Sequence, residues 1–186
     1  MKPSMRPTDE ALYRRMKDGD REAFAELYDR REPGLYRYAL HMTGNVQAAE
    51  EIAQEVFLQL MGPGGRYDEN RGPLEAWMYG VARNLVRVYR RRGAVQEAVD
   101  RAVEHDIVGG MISDESLVAL REAVTELPAN YREVVVLCDL EERNYDEAAR
   151  LMACPVGTIR SRLHRARALL ATRLRRYRTV TSAGER

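Results

Sequence analysis

The sequence predicts an all-α protein, two small helical domains joined by a linker, the C-terminal one containing a helix-turn-helix. Three observations carry this. Apolar residues recur three and four apart along most of the chain, and no long run alternates apolar with polar residues as a half-buried strand would. No hairpin dipeptide lies between two strand-like segments. Glycine, proline and small residues break the helical pattern at 62–73 and again at 93–113.

In chain order, the pattern predicts helices at 8–17 and 20–31, with Asp20 as the N-cap after the Asp18–Gly19 turn. A third follows Pro33 to Thr43 and is ended by Gly44–Asn45. The next, 46–61, places Val46, Ala49, Ile52, Ala53, Val56, Phe57 and Leu60 on one face. Residues 62–73 (GPGGRYDENRGP) read as a loop, and a long helix occupies 74–92. After the linker come helices at 114–127, 129–140, 145–152 and 156–176. Asn144-x-x-Glu147 resembles a capping box and Pro155 suits the first turn of the last helix. The expected division is therefore a domain at 1–92, a linker at 93–113, a domain at 114–177 and a tail at 178–186.

The chain has 186 residues, 45% hydrophobic and 32% charged, which describes a globular protein with a very polar surface. Its longest apolar run, Val134 to Cys138, is too short to cross a bilayer, and the N-terminal MKPSMRPTDE lacks the apolar run of a signal peptide. A cytoplasmic protein without membrane insertion is expected. Two cysteines, Cys138 and Cys154, supply neither a disulfide framework nor a metal-ligand pair. His41, His105 and His164 are scattered, with no nucleophile elbow, paired carboxylate or phosphate-binding glycine motif beside them, so no catalytic residue, metal or cofactor is expected.

The net charge of +1 hides an asymmetry. Residues 83–92 carry five Arg and no acid, and residues 160–178 carry eight Arg and no acid; between them, residues 93–127 carry two Arg against eight acids. Local basic patches attract polyanions even where the total cancels. Two readings of the acidic stretch stand side by side: it covers the basic patches in the free protein, or it keeps the chain soluble.

Helix 145–152, a break at Ala153–Cys154–Pro155 and the helix from 156 form a helix-turn-helix pattern. Val156, Ile159, Leu163, Ala166 and Leu170 recur as a core stripe, while Arg160, His164 and Arg167 share another face. Such a helix offers Arg160, Ser161, His164 and Arg165 to a major groove, where Arg pairs bidentately with guanine and Ser or His takes a base edge or a phosphate. The plainer reading is an amphipathic helix with a basic exterior. In helix 74–92, Leu74, Trp77, Met78, Val81, Leu85 and Val88 form the apolar stripe. Arg83, Arg87, Arg90 and Arg91 form a basic one with Asn84 beside it, spaced to follow a phosphate backbone.

The segment LPANYREVVVLCDLEERNYDEAARLMACPVGTIRSRLHRARALL resembles the −35-reading domain of extracytoplasmic-function (group 4) sigma factors, PVGTIRSRLHRAR being its most specific part. WMYGVARNLVRVYRRR resembles the −10-recognition helix of the same family, and AAEEIAQEVFLQL the segment that docks on the β′ clamp of RNA polymerase. The resemblance implies −35 contacts by Arg160, Ser161, His164, Arg165 and Arg167. It also implies −10 contacts by Arg83, Asn84, Arg87, Arg90 and Arg91, and core-polymerase contacts by Glu50, Glu51, Gln54 and Glu55. It further implies base capture by the loop 62–73, where Tyr67 either stacks on a base or packs beneath the loop. Ala48 and Val88 depart from the family, which often has Asp at both positions. The function implied is promoter-specific transcription initiation, with core RNA polymerase (β′ clamp helices and β subunit), promoter DNA and an anti-sigma factor as partners and no catalysis of its own. The alternative is a stand-alone helix-turn-helix regulator, for which residues 1–92 offer no strand-rich receiver domain.

Overall fold

The computed structural model describes residues 6–62, 67–99 and 115–181. It is all-α, with no strand among the described residues. The helices are α1 (Asp9–Lys17), α2 (Arg21–Thr43), α3 (Val46–Met61), α4 (Leu74–Val99), α5 (Glu115–Thr125), α6 (Ala129–Val135), α7 (Tyr145–Leu151) and α8 (Val156–Thr181). A 3-10 turn, Glu69–Arg71, precedes α4, and a π-helical turn, Val136–Leu140, prolongs α6.

Side-chain caps start four of these helices, and two of the caps, Asp20 and Asn144, are those the sequence predicts. Thr8 accepts from the Ala11 amide, Asp20 from Glu22 and Ala23, and Asn45 from Ala48. Asn144 and Glu147 complete a reciprocal capping box at α7. Gly44 ends α2 in the left-handed conformation, at φ 72°, which a side chain disfavours.

Four boundaries differ from expectation. The helices predicted at 20–31 and 33–43 are one, since α2 runs through Pro33. Proline removes one hydrogen bond and is normally a helix breaker. Here its ring is exposed while Leu27, Leu35, Tyr38, Ala39 and Met42 bury the helix on both sides of it, and burial outweighs the lost bond. The neighbouring Gly34 serves packing: a β-carbon there would lie 3.2 Å from the Tyr79 hydroxyl of α4. Helix α4 continues to Val99 instead of stopping at 92, because a single glycine at 93 costs only about 1 kcal/mol and strong helix formers follow. At the other end α8 passes the predicted limit of 176 and reaches Thr181. The predicted helix 129–140 widens into a π turn where Val134, Val135, Val136 and Leu137 are all buried. Of the predicted linker, residues 100–113 lie outside the described residues.

The apolar faces are shifted slightly from those predicted. On α3, Val46 is 53% exposed at the first helical position while Ala48 is buried. On α4 the buried ridge is Leu74, Met78, Ala82 and Val86, with Tyr79 beside it; Trp77, Val81 and Leu85 are half-buried and Val88 is exposed. The turn of the stripe follows from α4 having neighbours on two sides, α2 and α3 of its own half and α7 of the other.

The buried side chains form one continuous cluster extending from Leu12 to Leu170. Helices α1–α4 make the N-terminal half and α5–α8 the C-terminal half, and α6 and α7 pack on α2 and α4. Tyr38 and Tyr79 meet edge to face, ring centres 5.2 Å apart, beneath this seam. Polar groups cross it repeatedly. Arg37 pairs with Glu141, Arg83 with Glu133, and Arg143 with Glu75, which also holds Arg31.

Candidate nucleic-acid interface

Helix α8 is positioned by its apolar stripe. Ile159, Leu163, Ala166 and Leu170 are buried against α5, α6 and α7, with Val156 half-buried, as the sequence periodicity predicts. The turn that sets α8 against α7 is tight: the Cys154 amide donates to the Ala149 carbonyl, and Ala153 sits at φ 49°. Left-handed backbone at a residue with a β-carbon costs about 1 kcal/mol or more, so the turn is held by the packing on either side. This leaves Arg160, Ser161, His164 and Arg165 exposed together along one side of the helix. The Arg160 guanidinium lies over the Tyr145 ring at 6.0 Å, and the Ser161 hydroxyl donates to the Thr158 carbonyl. Arg167 is exposed but engaged, its guanidinium gripping both carboxylate oxygens of Asp139.

On α4 the basic stripe divides. Asn84, Arg87, Arg90 and Arg91 are exposed. Arg83 is not: its side chain is 15% exposed, its Nε donates to Glu133 Oε1 at 2.6 Å and its terminal nitrogen to the Leu151 carbonyl at 2.6 Å. The Tyr38 hydroxyl donates to the same Glu133 oxygen at 3.0 Å. Burial works against the Arg83 charge, but Glu133 and Tyr38 outweigh it and its pKa is raised. Burial, and then Glu133, push the Tyr38 phenol well above its ordinary value, so it remains a donor.

The loop residue Tyr67 packs beneath the loop. It is 7% exposed, its hydroxyl donates to the Gly72 carbonyl at 3.0 Å, and its ring meets Tyr13 edge-on at 5.2 Å and Trp77 at 6.1 Å. Burial lifts its pKa to about 12. In this arrangement Tyr67 has no face free for a base, and stacking on one would require it to leave the core. Residues 63–66 of the loop lie outside the described residues.

The outer face of α3 carries Glu50, Glu51 and Gln54 in solvent, with Glu55 half-buried and bonded by Gln59. Gln47 donates to Glu51. No basic side chain among the described residues pairs with Glu50, Glu51 or Glu55. Leu58, 57% exposed, and Met61 add an apolar edge to this acidic surface.

Sequence reasoning did not find the residues of the seam. Glu133 follows Arg132 immediately before the buried run Val134–Leu137, and a carboxylate on so apolar a helix signals a partner elsewhere in the fold. Arg132 is 3% exposed and donates to three carbonyls: Val124 in the last turn of α5, Leu127 just after it, and Met42 at the end of α2. Helix C-termini carry partial negative charge, so these carbonyls take the place of a counter-ion. Desolvation nevertheless lowers its pKa to about 10. Among the described residues no group of His, Cys, Asp or Glu is placed to hold a metal ion. Cys138 and Cys154 are both free and half-buried, the Cys138 thiol pushed up to about 11 by burial and by Asp139.

Two family models match the chain, Sigma-70 region 2 over residues 27–95 and Sigma-70, region 4 over residues 117–170. The ECF RNA polymerase sigma factor SigW of Bacillus subtilis is 30% identical over 177 residues, spanning 87% of this chain and 94% of the relative. The chain belongs to the ECF sigma factors of the sigma-70 family. SigE of Mycolicibacterium smegmatis, also an ECF sigma factor, is 32% identical over 98% of this chain and 74% of its own length. The fold is shared with the sigma factor RpoE of Bartonella quintana, solved in complex with the anti-sigma factor NepR, at a TM-score of 0.64 and 23% identity over 82% of this chain and 96% of that one. The region 2 match thus covers most of α2 through nearly all of α4, and the region 4 match covers α5 into α8. No helix among the described residues is long and apolar enough to cross a membrane.

Proposed function

We propose that this ECF sigma factor binds core RNA polymerase and directs it to promoters, with α8 reading a −35 duplex and α4 with its preceding loop reading the −10 strand. The observation that carries this reading is a pair of exposed basic faces on two separate helices of one chain, in the order of the family's two regions. Arg160, Ser161, His164 and Arg165 on α8 stand clear of the core as a groove-entering helix requires. Asn84, Arg87, Arg90 and Arg91 form a strip on α4 suited to backbone phosphates and an unstacked base. The acidic face of α3, with Glu50, Glu51, Gln54 and Glu55, is the surface we assign to the polymerase's β′ clamp. It offers unpaired carboxylates beside an apolar edge, a pattern that fits a basic partner surface.

The chemistry of transcription is then the polymerase's, and this chain contributes recognition and strand capture. A cytoplasmic location and an anti-sigma partner belong to the same reading. So does the division into a region 2 unit, a connecting stretch and a region 4 unit, with the connection beginning after Val99 where α4 ends.

The test is transcription from a library of randomised promoters by core polymerase with and without the purified protein. Specific starts that need both components support the reading and yield the −35 and −10 sequences together. Selective retention of duplex DNA by the protein alone, with no polymerase binding, would support a stand-alone regulator instead.

A further inference from the structure

Two arginines on the outer side of α8 are held in opposite ways. Arg167 is fixed by giving its donors away, since its Nε and a terminal nitrogen both go to the Asp139 carboxylate. Arg160 has no hydrogen bond or ion pair among the described residues; what holds it is the Tyr145 ring, whose centre lies 6.0 Å from the guanidinium carbon. An aromatic face attracts a guanidinium without using any of its N–H groups, which point outward in the guanidinium plane. Arg160 is thus restrained while its whole fork of donors stays open to a partner.

The place of Tyr145 follows from the sequence around it. Asn144 and Glu147 form the reciprocal capping box, which fixes the backbone of the first turn of α7. Tyr145 stands three and four residues before the buried Ala148 and Ala149, so it shares the inner face of α7, the helix that packs on α8. At this end of α7 that face reaches solvent. Tyr145 is 38% exposed, and Arg160, next in sequence to the buried Ile159, lies beside it. A ring this exposed adds little to the core.

We infer that Tyr145 is a positioning residue for promoter choice: its ring holds the Arg160 guanidinium with the donor edge free, so that Arg160 meets a guanine of the −35 duplex already ordered. The inference rests on the assignment of α8 to the −35 element and deepens it, giving guanine reading to Arg160 and not to Arg167, whose donors are taken. An unrestrained arginine loses its rotamer freedom on binding, which weakens affinity by about two- to tenfold. A stacked one has lost it beforehand. The gain falls on the base pair that accepts both hydrogen bonds, at guanine O6 and N7, and not on pairs that Arg160 touches once or not at all. Tyr145 therefore acts on discrimination at one base pair and leaves general affinity alone.

Promoter selection by the holoenzyme tests it. Core polymerase is combined with the full chain carrying Tyr145→Leu, Tyr145→Phe, Arg160→Ala, or Arg160→Ala together with Tyr145→Leu. Starts are then selected from a library randomised through the −35 element. Arg160→Ala marks the base pair it reads as the one where preference for guanine collapses. Tyr145→Leu is expected to lower preference at that same pair, and at no other, by about two- to tenfold. Tyr145→Phe keeps the ring and should retain the preference, and Tyr145→Leu should change nothing further once Arg160 is alanine. A merely structural role would shift the thermal midpoint without singling out one base pair. Unaltered preference in Tyr145→Leu would overturn the inference. So would an equal loss on every sequence, which makes Tyr145 a phosphate contact, or a loss in Tyr145→Phe as large as in Tyr145→Leu, which makes the hydroxyl the active group. Tyr145→Gln removes the ring with a polar side chain and repeats the comparison should an exposed leucine impair folding. If Arg160→Ala alters preference at no pair, the reading of α8 falls and the inference with it. If Arg160→Ala does so and Tyr145→Leu does not, the inference alone falls.

Discussion

Glu133 accepts from Arg83 at 2.6 Å and from the Tyr38 hydroxyl at 3.0 Å through the same oxygen, joining the third turn of α4 and the C-terminal part of α2 to α6. Ion pairs drawn this far out of water contribute little net stability, because desolvation of both charges offsets their attraction. Their effect is on uniqueness: a misplaced seam leaves a buried charge unpaired, which costs several kcal/mol. The halves therefore have one well-defined way to meet.

Arg132 provides a check on how the C-terminal half is held. Arg132→Met keeps the apolar stem and leaves the Met42, Val124 and Leu127 carbonyls without their donor. A loss of about 2–4 kcal/mol is expected, since each buried acceptor stripped of its partner costs about 1–3 kcal/mol and water re-enters part of the site. Urea denaturation measures it, and a midpoint equal to that of the unmodified protein would mean these carbonyls are satisfied otherwise.

His41 should make stability depend on pH. Burial lowers its pKa in the folded protein; Glu141 opposes this, while Arg121 and Arg37 add to it. The unfolded chain thus takes up a proton more readily than the folded one. The contribution of His41 is full above its ordinary pKa near 6.5 and declines as pH falls through that value towards the lowered one. Denaturation midpoints measured from neutral to mildly acidic pH should fall more in the unmodified protein than in His41→Gln. Parallel curves would remove His41 as the cause.

Arg160→Ala probes the assignment of α8. A bidentate contact to guanine predicts a loss of about 1–3 kcal/mol and relaxed choice at one base pair. Equal weakening on every duplex, measured by competition binding, would place Arg160 on a phosphate. Because Arg160 is exposed, the thermal midpoint should scarcely move.

Reversing charge on α3, Glu50→Lys with Glu51→Lys, should weaken core-polymerase binding while folding stability changes by about 0.5 kcal/mol or less. Among the described residues, the one side-chain bond lost is the exposed one from Gln47 to Glu51. Unchanged affinity for core polymerase in a pull-down titration would exclude this face.

Tyr67→Phe should destabilise the protein by about 1 kcal/mol through loss of the bond to the Gly72 carbonyl. A neutral result in thermal unfolding would indicate that the loop does not depend on it.

What the sequence displays and what it conceals divide by distance along the chain. Caps are local, so Asp20 and the Asn144–Glu147 box could be placed from neighbours a few residues away. The stripe on α8 has one partner surface and was legible from period alone. Pro33 misled because the strongest local rule was overridden by burial on both sides of it, and burial is a property of the whole fold. Arg83 misled for the same reason: its partner is 50 residues away, and the spacing that groups it with Arg87 and Arg90 carries no trace of Glu133. Tyr67 could be read two ways because a tyrosine in a loop has an apolar body and a polar tip, and only the positions of Tyr13 and Trp77 decide between them.

The four exposed side chains of the α8 reading face, Arg160, Ser161, His164 and Arg165, take no part in the core. If α8 reads the −35 element as proposed, exchanging them changes the address recognised at almost no cost to folding, and that half of promoter choice is free to drift over generations. Arg83 has no such liberty, since any replacement must also satisfy Glu133 and the Leu151 carbonyl. On the proposed assignment, the −35 face is thus built of residues that evolution can rewrite singly, whereas the −10 helix carries a residue tied to the architecture.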